Sequence, residues 1–277
     1  MATQSVSTAT RWWILIVSLL ATLCAFTFIN GIAFLISMLE SKRDTNLAQA
    51  GLLAAMPSAG MVLTLYGWGY LLDRIGERIV LSTGMALTGV ACFAAAAMHS
   101  LVAVGAFLFL GGMAAACANT ASGRLVAGWF PPEQRGLVMG IRQTAQPLGI
   151  ALGAMVIPEF AEHGLESALK FPATICMVSA VACALGVLDP PRPPRDGAVP
   201  EQLASPYRGS SVLWRIHAAS AALMVPQCVI ATFMLVWLIR EQHQSIAAAG
   251  ALVTLSQLLG AAFRIAAGRW SDRMRSR

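Results

Sequence analysis

Charge is what this sequence has least of. Only 12% of its 277 residues are Asp, Glu, Lys or Arg, about half the roughly 25% of a soluble domain. So few charges cannot clothe a water-facing surface. With 57% hydrophobic residues and a mean hydropathy of +0.68, lipid must be the solvent for much of the chain. Catalytic signatures are missing as well. There is no HExxH, no GxSxG, no phosphate-cradling GxxxxGK[ST] and no buried acid pair, which removes the grounds for a membrane enzyme or an ATP-driven pump. No catalytic residue and no cofactor is therefore expected. The six cysteines form no CxxC pair and all fall in apolar runs. They read as small buried hydrophobes, not disulfides or metal ligands. A basic block is absent too: the net charge of +6 is spread over many short loops, which argues for membrane topology and against nucleic acid. The first apolar run, Trp12 to Leu39, is far longer than the roughly 7–15 residues of a signal-peptide core.

What is present is a succession of apolar runs. A span needs about 20 apolar residues. Eight runs qualify, at about 12–38, 48–72, 79–98, 101–127, 137–158, 170–188, 212–239 and 246–267. With the N-terminus in the cytoplasm, one side collects Arg11, Arg74, Arg78, Arg135, Arg192, Arg195, Arg208, Arg269, Arg273, Arg275 and Arg277. The other side holds Lys42, Arg43, Lys170 and Arg240. The positive-inside rule then predicts both termini in the cytoplasm of a multi-pass protein of the cell (inner) membrane. Residues 189–211 are rich in proline and polar residues and read as a cytoplasmic linker. The expected organisation is a six-helix bundle (1–188), the linker (189–211) and a two-helix part of a second, incomplete bundle (212–277).

A repeat supports that division. Shifted by 199 residues, the second run lies on the eighth without gaps: Gly51 on Gly250, Gly69 on Gly268, Asp73 on Asp272 and Arg74 on Arg273. Two halves related by duplication are a transporter architecture. On that pattern the second half should also have six spans, so four further spans are expected beyond Arg277.

The segment GYLLDRIGERIV, 69–80, carries the most specific signal. It resembles the loop between spans two and three of the major facilitator superfamily, G-x-x-x-D-R-x-G-R-R, with Gly69, Asp73, Arg74, Gly76 and Arg78 matching and Glu77 departing. GRWSDRMRSR, 268–277, with Gly268, Asp272 and Arg273, resembles the corresponding second-half loop. The resemblance covers the whole chain. It implies an all-α transmembrane bundle of this superfamily's type, six spans plus two, and a loop that latches the halves in one access state. Physically, Gly69 allows a close helix approach, Asp73 can cap or accept charge from a neighbouring helix N-terminus, and the arginines can pair with acids or lipid phosphate.

Candidate solute-handling residues cluster between 118 and 160. Arg142 lies about 9 Å into the fifth span, where a cation is either functional, attracting an anionic solute, or snorkels to the headgroups. Gln143 and Gln146 flank it. Pro147 frees a backbone carbonyl and kinks the helix, making room for a ligand. In the superfamily, spans one, four and seven line the central cavity. That makes Asn30, Asn119 and Gln227 cavity candidates, with interhelical hydrogen bonding as the alternative role. Span five packs on span eight in the family, which assigns Gly149, Gly153, Gly250 and Gly260 to that contact. The drug/proton antiporter motif G-x-x-x-G-P-x-x-G-G is matched only in part, since Gln146 precedes Pro147. All thirteen carboxylates lie in loops or at span ends, so a coupling acid is absent from the span centres. The expected function is a secondary transporter (symporter, antiporter or uniporter) of small solutes, anions foremost, with a coupling proton or ion as a further partner. The alternatives are a non-transporting remnant or accessory subunit, and a drug or metabolite efflux carrier.

Overall fold

The computed structural model describes residues 6–42, 45–191 and 211–274, and every regular element among them is helical. Most of the expected linker, residues 192–210, lies outside the described residues. Local chemistry sets the first helix starts. α1 (Thr8–Gly31) opens on Ser7, whose hydroxyl accepts the Thr10 N–H. It tightens into a 3-10 turn at Ile32–Leu35 and resumes as α2 (Ile36–Lys42). α3 (Leu47–Ile75) opens on a reciprocal capping box between Asn46 and Gln49. Each device satisfies N–H groups that a first turn leaves orphaned.

Gly76 both ends α3 and starts α4 (Glu77–Ala96). Its φ of +98° is in the region where a side chain is strained, which is why glycine occupies this two-helix corner. Glu77, the departure from the family pattern, is buried in the first turn of α4, where an acid favours the helix dipole. α5 (Leu101–Trp129) follows and packs between α3 and α4 as the centre of the bundle. The 29 residues of α3 and of α5 reach about 44 Å, beyond the roughly 30 Å hydrocarbon core.

The expected fifth span is broken. It consists of α6 (Arg135–Gln143) and α7 (Ala145–Glu162), joined through Thr144. Pro147 is the cause. It has no N–H to give the carbonyl four residues earlier, and its ring crowds that carbonyl. The helix restarts at Ala145, so Pro147 falls in a first turn, where no N–H is needed. Thr144 keeps helical torsions, φ −70° and ψ −17°. The remaining helices are α8 (Leu165–Gly186), α9 (Val212–Arg240) and α10 (Ile246–Arg273). Among the described residues, seven helical segments are long and apolar enough to cross a membrane. Of the eight expected spans, seven correspond to these segments and the fifth to the pair α6–α7.

α1 packs on α5, α7 and α8, and α4 packs on α8. α10 lies along α6 and α7. Large apolar side chains face outward, among them Tyr66, Val102, Leu185, Leu223 and Phe263, as lipid-facing residues should. The cysteines divide: Cys92, Cys117, Cys176 and Cys183 are buried, Cys24 is half-buried, and Cys228 is exposed on α9, contrary to a uniformly buried set. One end of the molecule gathers the α3–α4 corner, the C-terminal ends of α5, α8 and α10 and the start of α6; we call it the motif face.

Candidate solute cavity and helix seam

A cavity of about 260 Å³ opens where α1, α3, α5, the α6–α7 break and α9 meet. It is lined by Thr22 and Phe26 (α1), Met61 (α3), Asn119 (α5), Arg142 and Gln143 (α6), Gln146 (α7) and Met224 (α9). Gln143 and Gln146 stand three residues apart on either side of Thr144, whose torsions are helical, so they share one face. Arg142 gives one hydrogen bond, from Nη1 to Ser122 Oγ at 3.0 Å. Its Nε is buried and has no hydrogen-bond partner among the described residues. A guanidinium carries five N–H donors, and Arg142 is the one charged residue among those that line the cavity. Among the described residues, no carboxylate lines this space. The larger groove of about 550 Å³ between α3, α4 and α5 is walled mainly by apolar side chains such as Leu71, Leu87, Val90, Phe107 and Leu110, with no charged side chain among the described residues; its polar members Thr64 and Trp68 both donate to the Met113 carbonyl.

Beside the cavity runs a seam between α6–α7 and α10. At the motif face, Asp272 accepts the backbone N–H groups of Gly136 (2.8 Å) and Leu137 (2.6 Å). A carboxylate thus caps the N-terminus of a helix from the other side of the seam, favoured by both the orphan donors and the dipole. Backbones touch here: a Cβ on Gly140 would lie 2.6 Å from the Arg264 carbonyl oxygen, and Gly268 meets the Gly136 carbonyl. Farther along, Arg264 Nη1 donates to the Gln143 carbonyl at 2.6 Å, and Thr254 Oγ1 to the Ala151 carbonyl at 3.4 Å. At the opposite face, Arg240 and Glu40 pair at 2.7 Å, joining α9 to α2.

The two loop motifs do different work. In the first, Asp73 pairs with Arg124 of α5 at 2.7 Å, both half-exposed, and Arg74 stacks 4.4 Å above the Tyr70 ring. The Arg78 N–H is accepted by Asp189 Oδ1 at 2.7 Å, and its Nε donates to the Ala184 carbonyl at 2.6 Å. These bonds fasten the α3–α4 corner to the end of α8. Capping of a helix N-terminus is seen for its repeat counterpart, Asp272. The close approach expected at Gly69 is likewise found at Gly268; a Cβ on Gly69 would meet nothing within 4 Å. Arg273 is exposed at the end of α10.

Of the six solute-site candidates, Asn119, Arg142, Gln143 and Gln146 line the cavity and Asn30 and Gln227 do not. Asn30 donates to the Phe26 carbonyl on its own helix at 3.1 Å, and Gln227 stands three residues beyond Met224. Thr22, Phe26, Met61 and Met224 escaped the sequence reading. Thr22 and Phe26 share a helical face with Asn30 at four-residue spacing, a usable signal; the two methionines offer none. The glycine assignment is partly corrected. Gly149 abuts the Leu23 carbonyl of α1 and its own carbonyl accepts from Thr27, while Gly153 faces Phe34. Gly260 faces open space, and of the four only Gly250 approaches across the seam, against the Ala154 carbonyl.

Comparison with known proteins places these features in context. A family model described as Major Facilitator Superfamily matches residues 18–277. An uncharacterized MFS-type transporter of Mycobacterium tuberculosis is 64% identical over 267 residues, covering 96% of this chain and 60% of its own length. A protein of Arabidopsis thaliana named Probable anion transporter 4, chloroplastic, is 33% identical over 117 residues, 38% of this chain and 22% of the relative. The inward-facing, unoccupied structure of a bacterial homolog of the human lysosomal transporter Spinster superposes with a TM-score of 0.74 at 15% identity, over 94% of this chain and 60% of that one. The chain spans about 60% of the length of the mycobacterial relative.

Proposed function

The chain belongs to the Major Facilitator Superfamily, a family of multi-pass membrane transporters and not of enzymes, and from that premise we propose that it forms part of a carrier of small anions working by alternating access. The observation that carries the anion reading is Arg142. Its guanidinium faces a cavity otherwise lined by neutral amides and apolar groups, with its Nε unpartnered and no carboxylate on the wall. A cation at this depth is costly unless paired, and an anionic solute supplies both the charge and the bidentate acceptor that a guanidinium fits. Asn119, Gln143 and Gln146 then present amide donors and acceptors to the rest of the solute. Phe26, Met61 and Met224 exclude water around it. The name of the Arabidopsis relative agrees with this reading.

No bond is made or broken in such a cycle. Solute binding and the rocking of two bundles, as described for this superfamily, suffice. In our reading the six helical regions up to residue 188 form one bundle and α9 and α10 belong to the other, with 189–211 as the linker. The motif face is the cytoplasmic one, because Arg74, Arg78, Arg135, Arg269 and Arg273 gather there. Asp272 on the α6 N-terminus is its closing contact, and Glu40–Arg240 is the counterpart on the outer face.

The test is binding and uptake with the purified chain in proteoliposomes, using radiolabelled D-glucuronate and inorganic phosphate as probes and glucose as the neutral control. Saturable retention of an anion, lost in Arg142→Ala and weakened in Arg142→Lys, is the expected result. Anion uptake unchanged in Arg142→Ala defeats the anion reading.

A further inference from the structure

Pro147 leaves the Gln143 carbonyl without the N–H that a continuous helix would supply. Gln143 is exposed, so this acceptor needs a donor from a side chain or from solvent. The donor that meets it comes from the other side of the seam: Arg264 Nη1, at 2.6 Å. The same residue's backbone marks the crossing point, because its carbonyl oxygen lies against Gly140, one turn before Gln143. Main chain and side chain of Arg264 are thus both committed to α6. Gln143 itself is shared. Its side chain lines the cavity beside Arg142, while its carbonyl is held from α10.

We propose that Arg264 is a positioning residue that couples the cavity to the seam, by completing the α6–α7 break while α10 is docked and releasing it when α10 departs. Arg264 and Asp272 lie eight residues apart on α10, about two turns, and both reach backbone groups of α6. Parting of the helices at the motif face breaks the Asp272 cap and the Arg264 bond together. The Gln143 carbonyl then loses its donor, and the hinge at Thr144 is free to change the direction in which Arg142, Gln143 and Gln146 point. While docked, Arg264 also adds a second positive charge next to the cavity. This rests on the reading of the cavity as the solute site only for its biological meaning; the coupling itself is a property of the two helices.

Four proteins test it: the parent, Arg264→Met, Pro147→Ala and the double variant, all carrying Cys228→Ser and the reporter Gln146→Cys. Pro147→Ala restores the N–H that can satisfy the Gln143 carbonyl from within the helix, leaving Arg264 nothing to complete. The readout is the rate at which a membrane-impermeant methanethiosulfonate modifies the reporter. Arg264→Met should change that rate about threefold to tenfold in the Pro147 background, and by less than about twofold in the Pro147→Ala background. Arg264→Lys, which keeps a donor and a charge, should recover most of the parental rate. Equal effects of Arg264→Met in both backgrounds, or none in either, overturn the proposal, since a merely structural arginine would act additively. Should Arg264→Met fail to fold, Arg264→Gln enters the same cycle with the same criteria. No solute is present, so the cycle can succeed while the anion reading fails, and the reverse.

Discussion

Asp272→Ala probes the seam most directly. The carboxylate accepts two backbone N–H bonds, from Gly136 and Leu137, at the start of a nine-residue helix. Hydrogen bonds to a charged group contribute about 1.5–3 kcal/mol each when well buried, but Asp272 is only partly buried, and an N-cap replacement measured as a whole costs about 0.5–2 kcal/mol. The helix dipole adds roughly 0.3–1 kcal/mol. A loss of about 1–2 kcal/mol from the docked arrangement is therefore expected, a factor of roughly 5–30 in the ratio of docked to parted forms. Spin labels on the exposed residues Glu133 and Met274, in a Cys228→Ser background, report the separation of α6 and α10 ends by pulsed dipolar spectroscopy. The short-distance population should fall in Asp272→Ala. Asp272→Asn keeps one acceptor oxygen but loses the charge, so it should lie between the two. If Asp272→Ala leaves the distance distribution as it was, or if Asn is as damaging as Ala, the charged cap is not what holds this end of the seam.

Three further outcomes follow from the geometry. At the opposite face Glu40 is 10% exposed and Arg240 46%, and the contact is ionic, without the alignment of a hydrogen bond. Arg240→Ala strands the more buried charge and should cost roughly 1–3 kcal/mol, more than Glu40→Gln, which strands the more solvated one; melting temperatures in detergent rank the two, and the reverse order contradicts the account. Gly140→Ala places a methyl 2.6 Å from the Arg264 carbonyl and should lower the melting temperature by several degrees, since backbone cannot yield as a flexible side chain does. Gly260→Ala meets nothing and should be neutral or stabilising by roughly 0.5–1 kcal/mol through helix propensity.

Much of this protein is legible without a structure because hydropathy and charge are properties of each residue. Runs of apolar side chains, the arginine-bearing loops and the 199-residue repeat that sets Asp73 on Asp272 need no knowledge of neighbours. They are enough for the membrane class, the approximate spans and the family. Pro147 also announces by itself that a carbonyl must go unpaired. The spans are less certain where polarity and proline interrupt them, which is why the fifth is two helices and not one. What only the tertiary structure decides is how each helix is turned about its axis and which neighbour it meets. Gly149 and Gly153 turn to α1 while Gly250 turns to α7, although all stand in similar small-residue company. Repeat-related Asp73 and Asp272 part ways because one lies beside Arg124 and the other beside the bare N-terminus of α6. The donor for the Gln143 carbonyl stands 121 residues away. No local pattern records that distance, because an orphaned acceptor specifies only that a partner is needed, and packing selects which one.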